Sequence, residues 1–311
     1  MRDFSSNILW FLMFRRDFLR FFALTPLLFS SDLVIEQTKK LLSSVENNSD
    51  KEATSWYIFD HIIAHAKAAG LAKLPIGERM GKVGMLMLGT PYVGGTLEGE
   101  PESCKIDLTG LDCVTFFENV LGIARVMRKS DAKFQDLAAE IARTRYRDGK
   151  LDGYTSRLHY TADWIANNVE KGIVKNITRD LGGVEFPLKV SFMSEHPQYY
   201  PPLVNDSTLV PEIAKFEQAV NSQKHYYIPT ENVKAIQPQL QTGDIIAVAT
   251  SKEGLDYAHT GIALRDERGN LRFLHASLTR KRVFLDKTIA TYLKSVPTHI
   301  GITVARPLEN N

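Results

Sequence analysis

The stretch GLDCVTFFENVL, residues 110–121, predicts a tight turn that leads into an amphipathic helix. Apolar residues recur at the three- and four-residue spacing of one buried helix face, namely Val114, Phe117, Leu121 and Ala124. Gly110 and Asp112 are typical turn and N-cap residues. The pattern therefore places Cys113 at or next to the first residue of the helix.

A cysteine at a helix start is a candidate nucleophile. The unpaired N–H groups and the positive end of the helix dipole favour the thiolate, which is the form that attacks a carbonyl carbon. The alternative is a structural role, because free cysteine is often buried as a small hydrophobic residue. Partners elsewhere in the chain have to decide between the two for Cys113.

The composition indicates a globular protein with a full hydrophobic core. The chain has 311 residues, 44% of them hydrophobic, and a net charge of +2. Four arginines and two aspartates lie in the first 31 residues, so the remainder is electrically balanced. This balance gives no electrostatic reason to expect nucleic acid or anionic lipid as a partner.

The chain has two cysteines, Cys104 and Cys113. Two are too few for a disulfide scaffold or a four-cysteine zinc site, so free thiols are the default. A local bridge between them remains open at this stage, and it would silence the nucleophile.

Residues 1–31 have the features of an export signal. The run FRRDFLR, residues 14–20, precedes the apolar segment 21–29 and resembles a twin-arginine signal. The apolar segment is too short to span a bilayer, and no cysteine follows it for lipid attachment. Because residues 8–14 are apolar, Met13 is an alternative start. We expect residues 32–311 to form a single catalytic domain.

The middle of the chain predicts several helices and one glycine-rich turn. Helical patterns cover residues 56–69, 134–146, 162–169 and 211–222. Glycines flank Tyr92 in residues 89–95, which suggests a turn that passes close to a site, although a packed loop tyrosine fits equally well. Residues 147–240 read as a large insertion of helices and loops that could form a substrate wall or a structural flap.

The last third predicts an antiparallel sheet. Strand patterns occupy residues 245–249, 258–264 and 271–276, with two further candidates at 283–285 and 299–304. Short connections make neighbouring strands antiparallel. Helices followed by such a sheet indicate an α+β fold.

Two histidines lie in otherwise apolar strands joined by a tight turn. His259 is near the start of one strand and His275 near the end of the next, so they can lie side by side within hydrogen-bond reach. A nucleophilic cysteine requires a base and a group that orients the base. We therefore predict that Cys113 attacks, His259 transfers the proton and His275 fixes the tautomer of His259.

The ordered motifs resemble those of the NlpC-type cysteine hydrolases, which have a papain-like core and cut bacterial cell-wall peptides. They are residues 90–95 (TPYVGG), 111–113 (LDC), 243–245 (GDI), 258–262 (AHTGI) and 274–277 (LHAS). Residues 111–118 and 156–160 (SRLHY) resemble more narrowly the N-acetylmuramoyl-L-alanine amidase-like branch. After the cysteine, Val114 and Thr115 stand where the wider family usually has serine and glycine, which favours this branch.

The resemblance implies hydrolysis of the amide between the lactyl group of N-acetylmuramic acid and L-alanine, on 1,6-anhydro-muropeptides. It carries the triad over to Cys113, His259 and His275. Tyr92 and the Cys113 backbone N–H are candidates for holding the oxyanion. Four residues are candidate substrate contacts: Asp112, Arg157, His159 and Tyr160.

An export signal agrees with a periplasmic protein that acts on peptidoglycan fragments. We expect this protein to be a monomer. We expect no cofactor and no metal, because the cysteine and two histidines are accounted for as a triad. Three alternatives remain open. They are a γ-D-glutamyl-diaminopimelate endopeptidase of the same fold, an acyltransferase, and an inactive wall-binding module that would leave Cys113 unlabelled by iodoacetamide.

Overall fold

The computed structural model describes residues 48–309, so the predicted export signal and residues 32–47 lie outside it. The helices in this part of the chain are α1 (Asn48–Ala68), α2 (Ile76–Leu86), α3 (Cys113–Val126), α4 (Phe134–Arg145), α5 (Thr161–Glu170), α6 (Phe192–Glu195), α7 (Pro201–Asn205), α8 (Val210–Asn221), α9 (Val233–Ile236) and α10 (Ile289–Leu293). None of them is long and apolar enough to cross a membrane.

The strands form one sheet. They are β1 (Val174–Asn176), β2 (Val184–Phe186), β3 (His225–Pro229), β4 (Ile245–Thr250), β5 (Tyr257–Arg265), β6 (Leu271–Ser277), β7 (Arg282–Thr288) and β8 (His299–Pro307). The sheet order is β2-β3-β8-β4-β5-β6-β7, and β1 also pairs with β8. The prediction of an α+β fold with an antiparallel sheet is confirmed.

The five predicted strands of the last third are all present, and β4 to β7 pair as antiparallel neighbours. The sequence did not predict that β8 returns to pair with β4. Nor did it predict that residues 147–240 contribute three strands, which extend the sheet beyond β8. Pairings between distant segments leave no local signal in a sequence.

The sheet separates two hydrophobic layers. On one face, α2 and α3 cover a core that includes Ile245, Ile262 and Leu274. On the other face, α9 and α10 cover a smaller core that includes Val248 and Phe273. Successive side chains of each strand point to opposite faces of the sheet and so contribute to both cores. Almost every residue of β4 and β6 is therefore buried.

Helix α2 was not predicted from the sequence because glycines interrupt its apolar pattern. Glycine is a poor helix former, yet here it permits a close approach to the sheet. A Cβ at Gly84 would lie 2.8 Å from Leu274 Cδ2, and one at Gly81 would lie 2.9 Å from Leu264 Cδ1. These glycines let the helix pack directly on β5 and β6.

The helix predicted at residues 56–69 also begins earlier than expected. Helix α1 starts at Asn48, before the predicted start at residue 56, and ends at Ala68 before the left-handed Gly70. Helices α4, α5 and α8 match their predicted ranges to within one residue at each end.

One carboxylate, that of Glu309, joins the C-terminal segment to α2 and to Arg128, which follows α3. Glu309 Oε1 accepts a hydrogen bond of 2.7 Å from the Ile76 N–H at the start of α2. Its Oε2 forms ion pairs with Arg79 and, at 3.2 Å, with Arg128. The Arg79 side chain is 0% exposed, so this carboxylate is the counter-charge of a buried guanidinium.

We expect Glu309→Ala to lower the free energy of unfolding by about 1–3 kcal/mol, because it leaves the Arg79 charge buried without its partner. Glu309 itself is 44% exposed, which keeps the loss below that of a fully buried pair. Urea denaturation measures the change. Glu267→Ala, in the exposed β5–β6 turn, is the matched control, and an equal loss in both variants would contradict the assignment.

Candidate active site

Cys113 is the first residue of α3, as predicted, and Asp112 is its N-cap. Asp112 Oδ1 accepts hydrogen bonds from the Val114 and Thr115 N–H groups at 3.0 and 2.8 Å. Thr115 Oγ1 accepts in return from the Asp112 N–H at 2.9 Å, which completes a capping box. The cap fixes the helix start and with it the position of the sulfur.

The predicted preference of this helix start for the thiolate is wrong for the structure. Burial and the neighbouring Asp112 carboxylate raise the pKa of the Cys113 thiol to about 11, although the proximity of Thr260 and of the Cys113 N–H lowers it. Loss of water outweighs the helix terminus here. The sulfur is therefore protonated at neutral pH and needs a base. Both cysteines are free, which rules out the bridge between Cys104 and Cys113.

His259 and His275 lie side by side, as the strand pattern predicted. His259 Nε2 and His275 Nδ1 are 2.6 Å apart, and the two rings are nearly perpendicular. Burial and the His275 charge lower the pKa of His259 well below its ordinary value. Burial lowers the pKa of His275 to about 4. Both imidazoles are therefore neutral at neutral pH, and each can accept a proton.

Asp286 is a site residue that the sequence reading missed. Its Oδ2 lies 3.4 Å from His275 Nε2, on strand β7. A carboxylate accepts, so His275 carries its proton on Nε2 and accepts on Nδ1 from the Nε2–H of His259. This order leaves Nδ1 of His259 as its basic nitrogen. The signal in the sequence was the aspartate directly after the strand pattern at 283–285.

Tyr292 is a second residue that the sequence did not indicate. Its ring, on α10, lies 5.9 Å from the His259 ring and 5.2 Å from the His275 ring, measured between centroids. Burial raises the pKa of its phenol, and the charge of Cys113 adds to the effect. Tyr292 therefore contacts both histidines and lies within electrostatic reach of the thiol.

The thiol and the histidine pair lie at the same end of the sheet but on different sides of it. Thr260 faces the core under α3 and lies against the Cys113 sulfur. His259 is paired with Val248 and faces the opposite core. Between residues 48 and 309 the structure shows no hydrogen bond from the Cys113 sulfur to either imidazole. Catalytic hydrogen bonds are often long until substrate binds.

Tyr92 lies beside the thiol. The turn at residues 89–95 pairs it with Leu111, two residues before Cys113. Burial, Cys113 and Asp112 together raise the pKa of its phenol to about 12. The hydroxyl is therefore protonated at neutral pH and able to donate a hydrogen bond. A role in holding an oxyanion stays a prediction, as does substrate contact by Asp112, whose described cap bonds all go to Oδ1.

Arg157, His159 and Tyr160 have protein partners in the structure. Arg157 donates to Leu97 O and Glu98, His159 Nε2 is 2.9 Å from Tyr154 O, and Tyr160 donates to Glu217. The three line a cavity of about 10 Å³, which has room for about one water molecule and none for a sugar ring. The structure brings them together but not with Cys113, and their contact with substrate remains a prediction.

Comparison with known proteins identifies the family. The model of the family described as N-acetylmuramoyl-L-alanine amidase-like matches residues 82–302. The chain belongs to this amidase-like family. Cys113, His259 and His275 all lie within the matched residues. No curated protein matches the chain.

Three solved structures share the architecture of this amidase-like chain. A N-acetylmuramoyl-L-alanine amidase from Bacteroides uniformis is 38% identical, with a TM-score of 0.71, and covers 75% of this chain and 99% of its own. A Bacteroides fragilis protein with the provisional name of a xylanase is also 38% identical, with a TM-score of 0.69 and coverage of 72% and 99%. A Legionella pneumophila protein at 20% identity and a TM-score of 0.63, with coverage of 84% and 97%, shares the fold.

The lowered pKa of His275 predicts that stability falls as the pH falls. Between about pH 6.5 and pH 4 the unfolded chain takes up a proton that the folded state does not bind, so acid favours unfolding. We expect a loss on the order of 1–2 kcal/mol between about pH 7 and pH 5 from this group. Urea denaturation of wild type and His275→Asn at both pH values measures it. A variant as pH-dependent as the wild type would contradict the assignment, and His196→Asn is the control.

Proposed function

We propose that this protein is a cysteine-dependent cell-wall amidase with a papain-like core of the NlpC type. It hydrolyses the amide between N-acetylmuramic acid and L-alanine in 1,6-anhydro-muropeptides. The observation that carries the proposal is a hydrogen-bonded pair of neutral histidines at the same end of the sheet as a helix-start cysteine. The family and the 38% identical B. uniformis amidase support the choice of bond.

Each residue takes a defined part in this mechanism. As substrate binds, His259 Nδ1 accepts the Cys113 proton while the sulfur attacks the amide carbonyl carbon. The Tyr92 hydroxyl and the Cys113 N–H hold the resulting oxyanion. His259 then gives the proton to the L-alanine nitrogen, the C–N bond breaks and the peptide leaves. Water, deprotonated by His259, then attacks the thioester, the C–S bond breaks and the muramic acid leaves with a free lactyl carboxyl group. His259 returns the proton to the sulfur and restores the thiol.

Glycoside hydrolysis fits the site less well than amide hydrolysis. Glycosidases flank the bond with two carboxyl groups that act as acid and as base or nucleophile. Of the carboxylates described beside the thiol and the histidines, Asp112 caps α3 and Asp286 accepts from His275. The site is built around a sulfur and two imidazoles instead, which favours the amidase name over the xylanase name among the relatives.

Export to the periplasm is part of the proposal. It rests on the resemblance of residues 14–31 to a twin-arginine signal. Twin-arginine transport moves folded proteins, so Cys113 would fold into its site in a reducing compartment before it meets an oxidising one.

Digestion of purified anhydro-muropeptides tests the function. Wild type should release peptides that begin with L-alanine, and Cys113→Ala should lower the rate by at least about 10³-fold because it removes the nucleophile. Mass spectrometry of the products identifies the bond. Cys104→Ala removes the other free thiol and should keep the rate within about 2-fold.

Each other outcome would contradict the proposal and would indicate a specific alternative function. Cleavage after γ-D-glutamate would indicate the endopeptidase, and transfer of an acyl group without a free stem peptide would indicate an acyltransferase. Binding without turnover would indicate a wall-binding module. Release of sugars from xylan that survives Cys113→Ala would favour the glycosidase.

Asp286→Asn tests the order of protons along the histidine pair. The amide can donate to His275 Nε2, which moves the His275 proton to Nδ1 and forces His259 to carry its proton on Nδ1, the nitrogen that should accept one. We expect kcat to fall by about 10-fold or more with little change in KM. Asp180→Asn, on an exposed carboxylate, is the control. Unchanged kcat in Asp286→Asn would show that Asp286 does not set the tautomer.

A further inference from the structure

The turn between β6 and β7, residues 278–281, lies at the end of the sheet that carries the histidine pair. β6 ends two residues after His275, and β7 begins after the turn with Arg282. The backbone of the turn is joined to the segment that carries Tyr92, because the Tyr92 N–H donates to Lys281 O at 2.9 Å and Pro91 pairs with Arg282. Tyr92 in turn pairs with Leu111, two residues before Cys113, so the turn borders the helix start that carries the thiol.

Three consecutive cations occupy this border: Arg280, Lys281 and Arg282. All three are exposed, and none takes part in an ion pair with another residue of the described chain 48–309. The turn and the first residue of β7 therefore concentrate positive charge that no other residue of the described chain neutralises. Several other arginines of the described chain do form ion pairs with carboxylates, for example Arg145 with Glu118 and Arg306 with Asp244.

Packing on Phe284 orients the two guanidinium groups. The centre of the Arg280 guanidinium lies 5.3 Å from the Phe284 ring centroid, and that of Arg282 lies 6.0 Å from it. Phe284 is paired directly with His275, so both side chains lie on the same face of the sheet. Stacking on a ring leaves the N–H edges of a guanidinium free to bind a carboxylate.

Lys281 is a second indication that the residues of this turn have a role besides closing the turn. Its φ is 57°, in the left-handed region that glycine adopts most easily. If backbone strain alone decided the residue at this position, glycine or asparagine would be favoured. A lysine in this conformation keeps a third charge at the border of the site.

The substrate of the proposed reaction carries anionic groups that these cations can bind. The assignment of this site therefore rests on the proposed function. The peptide that follows L-alanine contains a γ-linked D-glutamate, whose α-carboxylate stays free, and diaminopimelate adds further carboxylates. We propose that Arg280, Lys281 and Arg282 form the subsite for the carboxylates of the stem peptide. The cations hold the leaving-group side of the substrate, and the enzyme selects anionic stem peptides.

Kinetics with two substrates tests this subsite. One is an anhydro-muropeptide with free peptide carboxylates, and the other is the same molecule with those carboxylates converted to methylamides. In the double variant Arg280→Gln and Arg282→Gln, KM for the anionic substrate should rise by about 10-fold with kcat within about 2-fold. The KM for the amidated substrate should be the same in both proteins.

Arg268→Gln is the matched control, because it removes an exposed arginine from the β5–β6 turn, at the opposite end of β6. It should leave both KM values unchanged. High salt should raise the KM of wild type for the anionic substrate and should have little effect on the double variant. A double variant that keeps the wild-type preference for the anionic substrate would overturn the subsite.

A binding measurement separates this inference from the proposed function. If neither substrate is cleaved, the proposed function is wrong and the KM values cannot be measured. Fluorescence anisotropy of a labelled L-alanyl-γ-D-glutamyl-diaminopimelate peptide on Cys113→Ala protein still decides the subsite. Binding weakened about 10-fold by the two arginine substitutions supports it, and binding unchanged by them refutes it.

Discussion

The packing of α3 on the sheet is the constraint on which the rest of the molecule depends. From Thr115 to Val126 every residue of this helix is buried, so its orientation on β5 and β6 is fixed by the core. Its first turn is the part that reaches the end of the sheet, and the Asp112 cap fixes where that turn begins. A rigid helix thus holds the sulfur beside Thr260, one residue from His259.

Burial sets the chemistry of the site as well as its geometry. Loss of water raises the pKa of the Cys113 thiol and lowers the pKa of His259 and His275, so the resting site holds neutral groups. A neutral thiol and a neutral base avoid placing two charges in a poorly solvated site. In the proposed mechanism the proton moves only when substrate brings the reacting groups together, and Asp286 determines which imidazole nitrogen receives it.

Charge is distributed differently at the border of the site. Inside the molecule, guanidinium groups are matched by carboxylates, as for Arg145 and Glu118 or Arg79 and Glu309. In the β6–β7 turn the cations stay exposed and unpaired with the rest of the described chain. A neutral reaction centre with a positive border suits a substrate whose reacting bond is neutral and whose peptide is anionic.

Local pattern in the sequence was sufficient for the helix start at Cys113, the five strands of the last third and the adjacency of His259 and His275, because each follows from nearest-neighbour periodicity. Helix α2, the pairing of β8 with β4 and the strands between 147 and 240 depend on contacts between distant segments. The raised pKa of Cys113, the internal partners of Arg157 and Tyr160, and the placement of Asp286 and Tyr292 also became visible only in three dimensions. Solvent exclusion and long-range packing determine those features, and neither is written in the spacing of residues along a chain.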